Sequence, residues 1–326
     1  MALREQLPIL WQPTSSLKNI YLRAKVLTKI RSFFMERNIV EVETPLLSHG
    51  VITDPNIHSF VSEYHLPGSG KKEILYLQTS PEFAMKRLLA AGSGSIFQIS
   101  KAFRNEECGA MHNPEFTILE WYHLGYNHHE LMDEIDAFLG YLFNFSKAER
   151  WSYQEVFKKF LFIDPLICDI SEFRDLALQH GLNDIDGLNK DGWLNILFSS
   201  FIEPNLGNGK PAFVYDFPAS QAALARINKN DPRVASRFEV YISGIELGNG
   251  FHELSDSQEQ RQRFGYDLKR RSELNLSQLP LDENFLTAID YLPDCSGVAI
   301  GLDRLLMIMI GTKNIEDVIA FPIKNA

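Results

Sequence analysis

From its first residues onward the chain groups its apolar positions into a helix, a strand and then a series of short alternating runs. Ile20, Ala24, Leu27, Ile30 and Phe34 recur at helical spacing behind Ser15 or Ser16, either of which suits an N-cap, and the pattern fades at Asn38. Residues 39–45 then alternate valine with glutamate, as expected of a half-exposed strand halted by Pro45. Further strand patterns lie at 74–78, 96–104, 115–122, 212–217, 238–247 and 297–302. Residues 131–145 and much of 153–203 read as helical, with turn-rich breaks at 183–192 and 203–209. Because the strands mostly arrive in adjacent pairs with short turns, the pattern predicts an α+β fold, an antiparallel sheet flanked by helices. No repeat or long linker interrupts it, so residues 15–326 are expected to form one domain behind an extension at 1–14, with a mostly helical insertion around 150–210.

Composition narrows the partners. The chain has 326 residues, 45% hydrophobic and 23% charged, as globular proteins do. Its 32 basic and 42 acidic side chains leave a net charge of −10. That balance argues against a broad nucleic-acid-binding surface, so a polyanionic ligand has to be met locally. The longest strictly apolar run, Leu305 to Ile310, has six residues, against about 20 needed to span a bilayer. Met1 to Gln12 holds no apolar stretch long enough for a signal peptide, and a cytoplasmic location without membrane contact is expected. Cys108, Cys168 and Cys295 are widely spaced and without a CxxC pair, which indicates neither a disulfide framework nor a zinc site.

Three segments carry candidate chemistry. Phe238 to Leu247 reads as a hairpin around Ser243-Gly244. Setting Ile242 opposite Ile245 places Tyr241 opposite Glu246 and Glu239 opposite Gly248, with Phe238, Val240, Ile242, Ile245 and Leu247 on one apolar face. Glu239 and Glu246 then lie diagonally on the other face, about 7–8 Å apart at the backbone, near enough to share a hard cation such as Mg²⁺. A solvated face gives the same alternation, but Gly248-Asn249-Gly250-Phe251-His252-Glu253 follows with glycines, an amide and a third carboxylate. A second hairpin runs from Phe103-Arg104-Asn105-Glu106 through a longer loop to residues 115–122; alternation sets Arg104 with Glu106, and Glu120 with Tyr122. An arginine fork suits phosphate and a glutamate beside a tyrosine suits a cation, although an ion pair within the sheet is the other reading of these residues. Third, Gly297, Ala299 and Gly301 clear one face of a strand for a flat ligand. This strand runs into an apolar helix with Arg304 in its first turn, where the helix dipole disfavours a cation unless an anion joins it. Thr79-Ser80-Pro81-Glu82 reads as a capping box whose glutamate can also reach a ligand amine. The histidines, His128 and His129 among them, lack metal-ligand spacing and read as solvated or capping residues, and Lys269 to Arg271 as a solvated helix face.

Together these segments resemble the three signature motifs of class II aminoacyl-tRNA synthetases: the helix and strand ending at Pro45, Phe103-Arg104-Asn105-Glu106 with its return strand, and Gly297 to Arg304. Within that class, His112-Asn113-Pro114-Glu115-Phe116-Thr117, Glu120-x-Tyr122 and Glu246 to Glu253 look like the lysyl branch. Lysyl enzymes carry an N-terminal barrel that reads the anticodon, for which fourteen residues before the first helix are too few, and they usually have glycine where Ala299 stands. Both departures are similar to the truncated paralogues that lysylate bacterial translation elongation factor P. The resemblance implies activation of lysine or (R)-β-lysine by ATP with Mg²⁺, transfer to elongation factor P, a homodimer through the first motif, and no stable tRNA binding. It also implies roles. Arg104 and Glu106 hold the α-phosphate and adenine and Arg304 the γ-phosphate, the two arginines being catalytic; Asn105, Asn113, Glu246, Leu247 and Gly301 complete the nucleotide site. Glu239 and Glu246 carry the metal. Ser80, Pro81 and Glu82, with Glu120, Tyr122, Asn249, Glu253 and Ala299, receive the amino acid.

Overall fold

The computed structural model describes residues 11–185 and 187–326, so positions 1–10 of the expected extension lie outside the described residues. Among the described residues the strands form two sheets. In chain order they are β1 (Val40–Glu41), β2 (Leu47–Ser48), β3 (Val61–His65), β4 (Lys72–Leu77), β5 (Ile96–Phe103), β6 (Glu115–Leu124), β7 (Glu149–Ser152), β8 (Ala212–Pro218), β9 (Val234–Ile242), β10 (Ile245–His252) and β11 (Cys295–Gly301). The large sheet has the order β1-β5-β6-β11-β10-β9-β8-β7, and β2-β4-β3 form a small second one. Its inner pairs are antiparallel as expected, but both edge pairs, β1 with β5 and β7 with β8, are parallel. The short strands β2, β3 and β7 have no clear alternation and were not among the expected elements. The expected strand at 39–45 shrinks to the two paired residues Val40 and Glu41, because the chain leaves the sheet edge after a last hydrogen bond from Val42 N to Phe97 O, before Pro45.

The helices are α1 (Leu17–Met35), α2 (Glu82–Ala90), α3 (His128–Phe143), α4 (Tyr153–Leu161), α5 (Ile170–Gln179), α6 (Lys190–Leu197), α7 (Ser257–Glu273), α8 (Glu283–Ile289) and α9 (Leu302–Ile310). Ser16 caps α1 by accepting from Asn19 N, and the buried stripe is Val26, Ile30, Phe33 and Phe34; the expected Ala24 is exposed. Alternation along the large sheet sends Leu119, Trp121, Phe238, Val240, Leu247, Val298 and Ile300 into one core with α1, α3 and α9. Phe34 stacks on Phe97 at 4.5 Å and meets Trp121 at 5.2 Å, pairs each worth about 0.5–1.5 kcal/mol beyond their buried area. The opposite face of the same strands is left for the site. At one end of that face α4 to α6 pack a second core, Tyr153, Phe157 and Trp193 against Val214 and Tyr241. At the other end Phe83 of α2 stacks on Phe285 of α8 at 4.0 Å, which fixes α2 over the sheet.

Candidate active site

The open face of the sheet floors a cavity of about 1190 Å³, walled by the residue 188–199 segment, α2 and α7. Ser243 and Gly244, both at positive φ, make the tight turn between β9 and β10, and the expected pairs Ile242–Ile245 and Tyr241–Glu246 form. The register then shifts. A bulge between Glu246 and Gly248 sets Glu239 opposite Asn249, not Gly248 as the simple register has it. Glu246 and, beyond the bulge, Asn249, Phe251 and Glu253 thereby all reach the cavity, which an unbroken alternation forbids. Ile245, expected in the apolar face, is half-exposed at the turn.

At one end of the cavity, β6 presents Glu120 and Tyr122, both 2% exposed. The Tyr122 hydroxyl donates to Glu120 Oε1 at 2.7 Å and Ser80 Oγ donates to Oε2 at 2.9 Å. Burial, then the charge of Glu82, push Glu120 up to about 8 despite these donors. Glu253 is 1% exposed, and burial raises it to about 7 although Lys86 opposes the rise. The backbone is cut to fit: a Cβ at Gly297 would overlap the Tyr122 ring and lie 2.7 Å from Glu253 Oε1. Ala299, between Glu120 and Asn249 in the register, shows its methyl to the same space. The expected Thr79 capping box does not form. Pro81 is the buried N-cap of α2 outside the cavity, and Ser80 Oγ, not Thr79, accepts from Glu82 N at 3.0 Å, since the helix begins only at Glu82.

At the other end β5 stops at Phe103, so Arg104 and Glu106 do not share a strand face. Arg104 lines the cavity, its guanidinium 5.2 Å from the Phe116 ring and 3.7 Å from Glu107. Glu106, at positive φ, turns outward with its side chain 70% exposed, 3.8 Å from His58, and neither it nor Asn105 reaches the cavity wall; Glu107 does. Asn113 lines the cavity but spends its amide on the backbone, donating to Glu115 O and accepting from Ile323 N. Leu247 and Gly301 border the same space. Arg304 donates to the Glu246 carbonyl at 2.8 Å, sits 2.7 Å from His112 Nε2 and lies 3.6 Å from Glu246 Oε2. Burial and this arginine hold His112 below its ordinary value, so it accepts as a neutral ring.

Glu239 and Glu246 share the cavity floor. Glu239 accepts from Arg237 at 2.6 Å and from the Tyr241 hydroxyl. Glu203, from the segment after α6, joins them: burial and then the charges of Glu246 and Glu239 push it up to about 7. Among the described residues no three His, Cys, Asp or Glu side chains gather closely enough to hold a metal by themselves. Two carboxylates nonetheless suit Mg²⁺, which takes one or two from the protein and the rest of its ligands from phosphate and water.

Sequence reasoning missed Lys86, His112, Glu203 and Arg237. Lys86 left a signal, standing one helical turn after Glu82, and His112 opens the motif that runs to Thr117; Glu203 and Arg237 left none. The reading of the histidines as solvated or capping residues does not hold for His128, which is 6% exposed and 3.6 Å from Asp216, or for His112, whose Nε2 meets Arg304. Arg271, expected in a solvated face, is 4% exposed and donates to Ser277 O and Asp54 O.

Several carboxylates of the cavity bind protons more tightly folded than unfolded: Glu120 at about 8, Glu203 and Glu253 at about 7, and Asp267 at about 6. Between the unfolded carboxylate range and these values the native state holds more protons, so stability falls as pH rises. The thermal midpoint of the free protein is expected to drop between about pH 5 and 8, read by calorimetry. A midpoint rising through that window would contradict the buried carboxylates.

An arginine-flanked cavity floored by an antiparallel sheet, with its first motif in α1 and β1, is the arrangement of a class II synthetase, and the sequence agrees. A family model described as class II tRNA synthetases (D, K and N) matches residues 4–325, and the chain belongs to that family. Its relatives narrow the branch. The chain is 52% identical to the elongation factor P–(R)-β-lysine ligase of Vibrio cholerae over 97% of its length and 98% of that protein's. It is 49% identical to the ligase of the same name from Pectobacterium atrosepticum, with the same coverage.

Proposed function

We propose that the chain uses ATP to activate (R)-β-lysine, or lysine, as an aminoacyl-adenylate and transfers it to the ε-amine of a lysine on elongation factor P. The observation that carries this reading is the group of buried Glu120 and Glu253 with half-buried Glu82, placed in one cavity with Arg104 and Arg304. A diamino acid brings cations to the carboxylates while its own carboxylate points toward the arginines. That carboxylate attacks the α-phosphorus in line and the bond to pyrophosphate breaks. Arg104 and Arg304 stabilise the phosphate charge, so catalysis is positioning and electrostatics without a protein nucleophile. Mg²⁺ on Glu239 and Glu246 supplies further charge neutralisation when bound. The acceptor amine, with an ordinary pKa near 10.4, loses a proton to the adenylate phosphate and displaces AMP.

Leu17, Tyr21, Met35 and Val40 leave 64%, 66%, 70% and 54% of their surface exposed along α1 and β1, which supports a homodimer through this first motif. Among the described residues no helix is long and apolar enough to cross a membrane. Ala299 biases the pocket toward β-lysine. One methyl is worth about 1–3 kcal/mol, so Ala299→Gly shifts the ratio of kcat/KM for the two lysines by roughly 10- to 200-fold at most. An unchanged ratio sinks that role.

The test of the whole reading is the intact mass of elongation factor P after incubation with the protein, ATP and (R)-β-lysine, with bulk tRNA in parallel. One lysyl increment on the factor supports it; charged tRNA with an unmodified factor returns the chain to an RNA-acylating role.

A further inference from the structure

Behind the carboxylates of the amino-acid pocket, outside the cavity lining itself, the structure buries a cation. Lys86 is 2% exposed, with Nζ 2.7 Å from Glu82 Oε1 and 2.5 Å from Glu253 Oε2. Burial alone lowers its amine, but the two carboxylates outweigh burial and hold it above its ordinary value, so it stays charged. Its Nζ also lies 6.0 Å from the centre of the Phe285 ring, beside the apolar contact of α2 with α8. A buried charge costs several kcal/mol unless its partners repay it. Here the partners are themselves the ligands of the site. Glu82, Glu120 and Glu253, when ionised, are balanced by this one ammonium to a net charge of −2, the complement of an amino acid with two ammonium groups.

We infer that Lys86 is a specificity-determining residue of this pocket: it neutralises one of the three carboxylates from behind, so that the charge left over matches a doubly cationic substrate. The inference rests on the diamino-acid reading of the site. Without Lys86 the three carboxylates lose the cation that lowers them, so Glu120 and Glu253, already raised to about 8 and about 7 with Lys86 in place, ionise only at still higher pH and the substrate has more protons to expel. The remaining titratable and charged groups around them do not replace it. Arg226 faces Glu253 but donates its Nε to the Glu253 carbonyl and pairs with Asp294 at 2.8 Å. Tyr122 and Cys295 are both held protonated by burial and by the same carboxylates.

The test is KM for (R)-β-lysine in ATP–pyrophosphate exchange, followed from about pH 6 to 9. In the native protein KM falls with rising pH as the carboxylates ionise. Lys86→Met is expected to move the midpoint of that limb up by at least a unit, raising KM at pH 7 about tenfold or more, with most of the loss recovered at pH 9 and kcat changed less. Glu82→Gln, which removes a like charge, moves the limb down, and adding Lys86→Met to it brings the limb back to its native position. A KM loss equal at every pH, or a limb that stays in place, makes Lys86 structural and overturns the inference. Should Lys86→Met alone fail to fold, the step from Glu82→Gln to the double variant decides: an upward move supports the inference and no move overturns it. A native chain that exchanges with no diamino acid sinks the reading of the site itself, and the inference with it.

Discussion

Arg304→Ala is expected to slow ATP–pyrophosphate exchange by about 10²- to 10³-fold, the usual effect of removing a preorganised donor from developing charge. The guanidinium lies in the first turn of α9, where the helix dipole opposes it, and its partners in the free protein are the Glu246 carbonyl, a carboxylate oxygen 3.6 Å away and a neutral imidazole. These are weak compensation for a half-buried cation, which leaves the side chain free to take the polyphosphate anion proposed for it. Stability should change little, because the apolar side of α9, Leu302, Leu305, Leu306 and Met307, holds the helix in place. The same substitution removes a charge that depresses His112, whose imidazole should titrate nearer its ordinary value in an NMR pH series. Exchange at the native rate would remove Arg304 from the nucleotide site.

Gly297→Ala is the second large effect, and it acts on the amino acid instead of the nucleotide. The added methyl overlaps the ring of Tyr122 and approaches Glu253 Oε1 at 2.7 Å, and neither can yield easily. Tyr122 is wedged between Ile96 and Gly297 in the sheet register and tied to Glu120, while Glu253 holds Lys86. Overpacking of this kind costs about 1–3 kcal/mol, so the thermal midpoint should fall by several degrees. The larger consequence is functional. Displacing the Tyr122 hydroxyl or the Glu253 carboxylate by an ångström should raise KM for the diamino acid by about 100-fold while KM for ATP moves much less. Equal losses for both substrates would show general collapse of the sheet and not a defect of the cation pocket.

The outcome along the chain shows where sequence patterns stop being informative. Alternation found the long central strands β5, β6, β8, β9, β10 and β11, since each buries one apolar face against α1, α3 and α9. It overlooked β2, β3 and β7, which are short or have no buried face, and overextended the strand after Ile39, because pairing needs a partner edge that local pattern cannot supply. For the site, residue types at motif spacing pointed to Arg104, Glu120, Tyr122, Glu239, Glu246, Glu253 and Arg304, and all of them line one cavity. Glu106, given a role by its place beside Arg104, turns away once the strand ends at Phe103 and its φ becomes positive.

By itself, then, the sequence determined the class of fold and the chemistry to be held: periodicity dictates which faces are buried, and carboxylates, arginines and glycines at fixed spacing dictate what those faces can bind. Only the tertiary structure decided which of these groups meet. The bulge after Glu246 brought Glu253 to the same side as Glu239 and Glu246, and the docking of α2 on α8 lowered Lys86 between Glu82 and Glu253. The helical segment between β7 and β8 brought Glu203 beside Glu239 and Glu246. Each of these depends on a register shift or a packing contact between segments far apart in the chain, and such long-range contacts leave no periodicity of their own to be seen in the sequence.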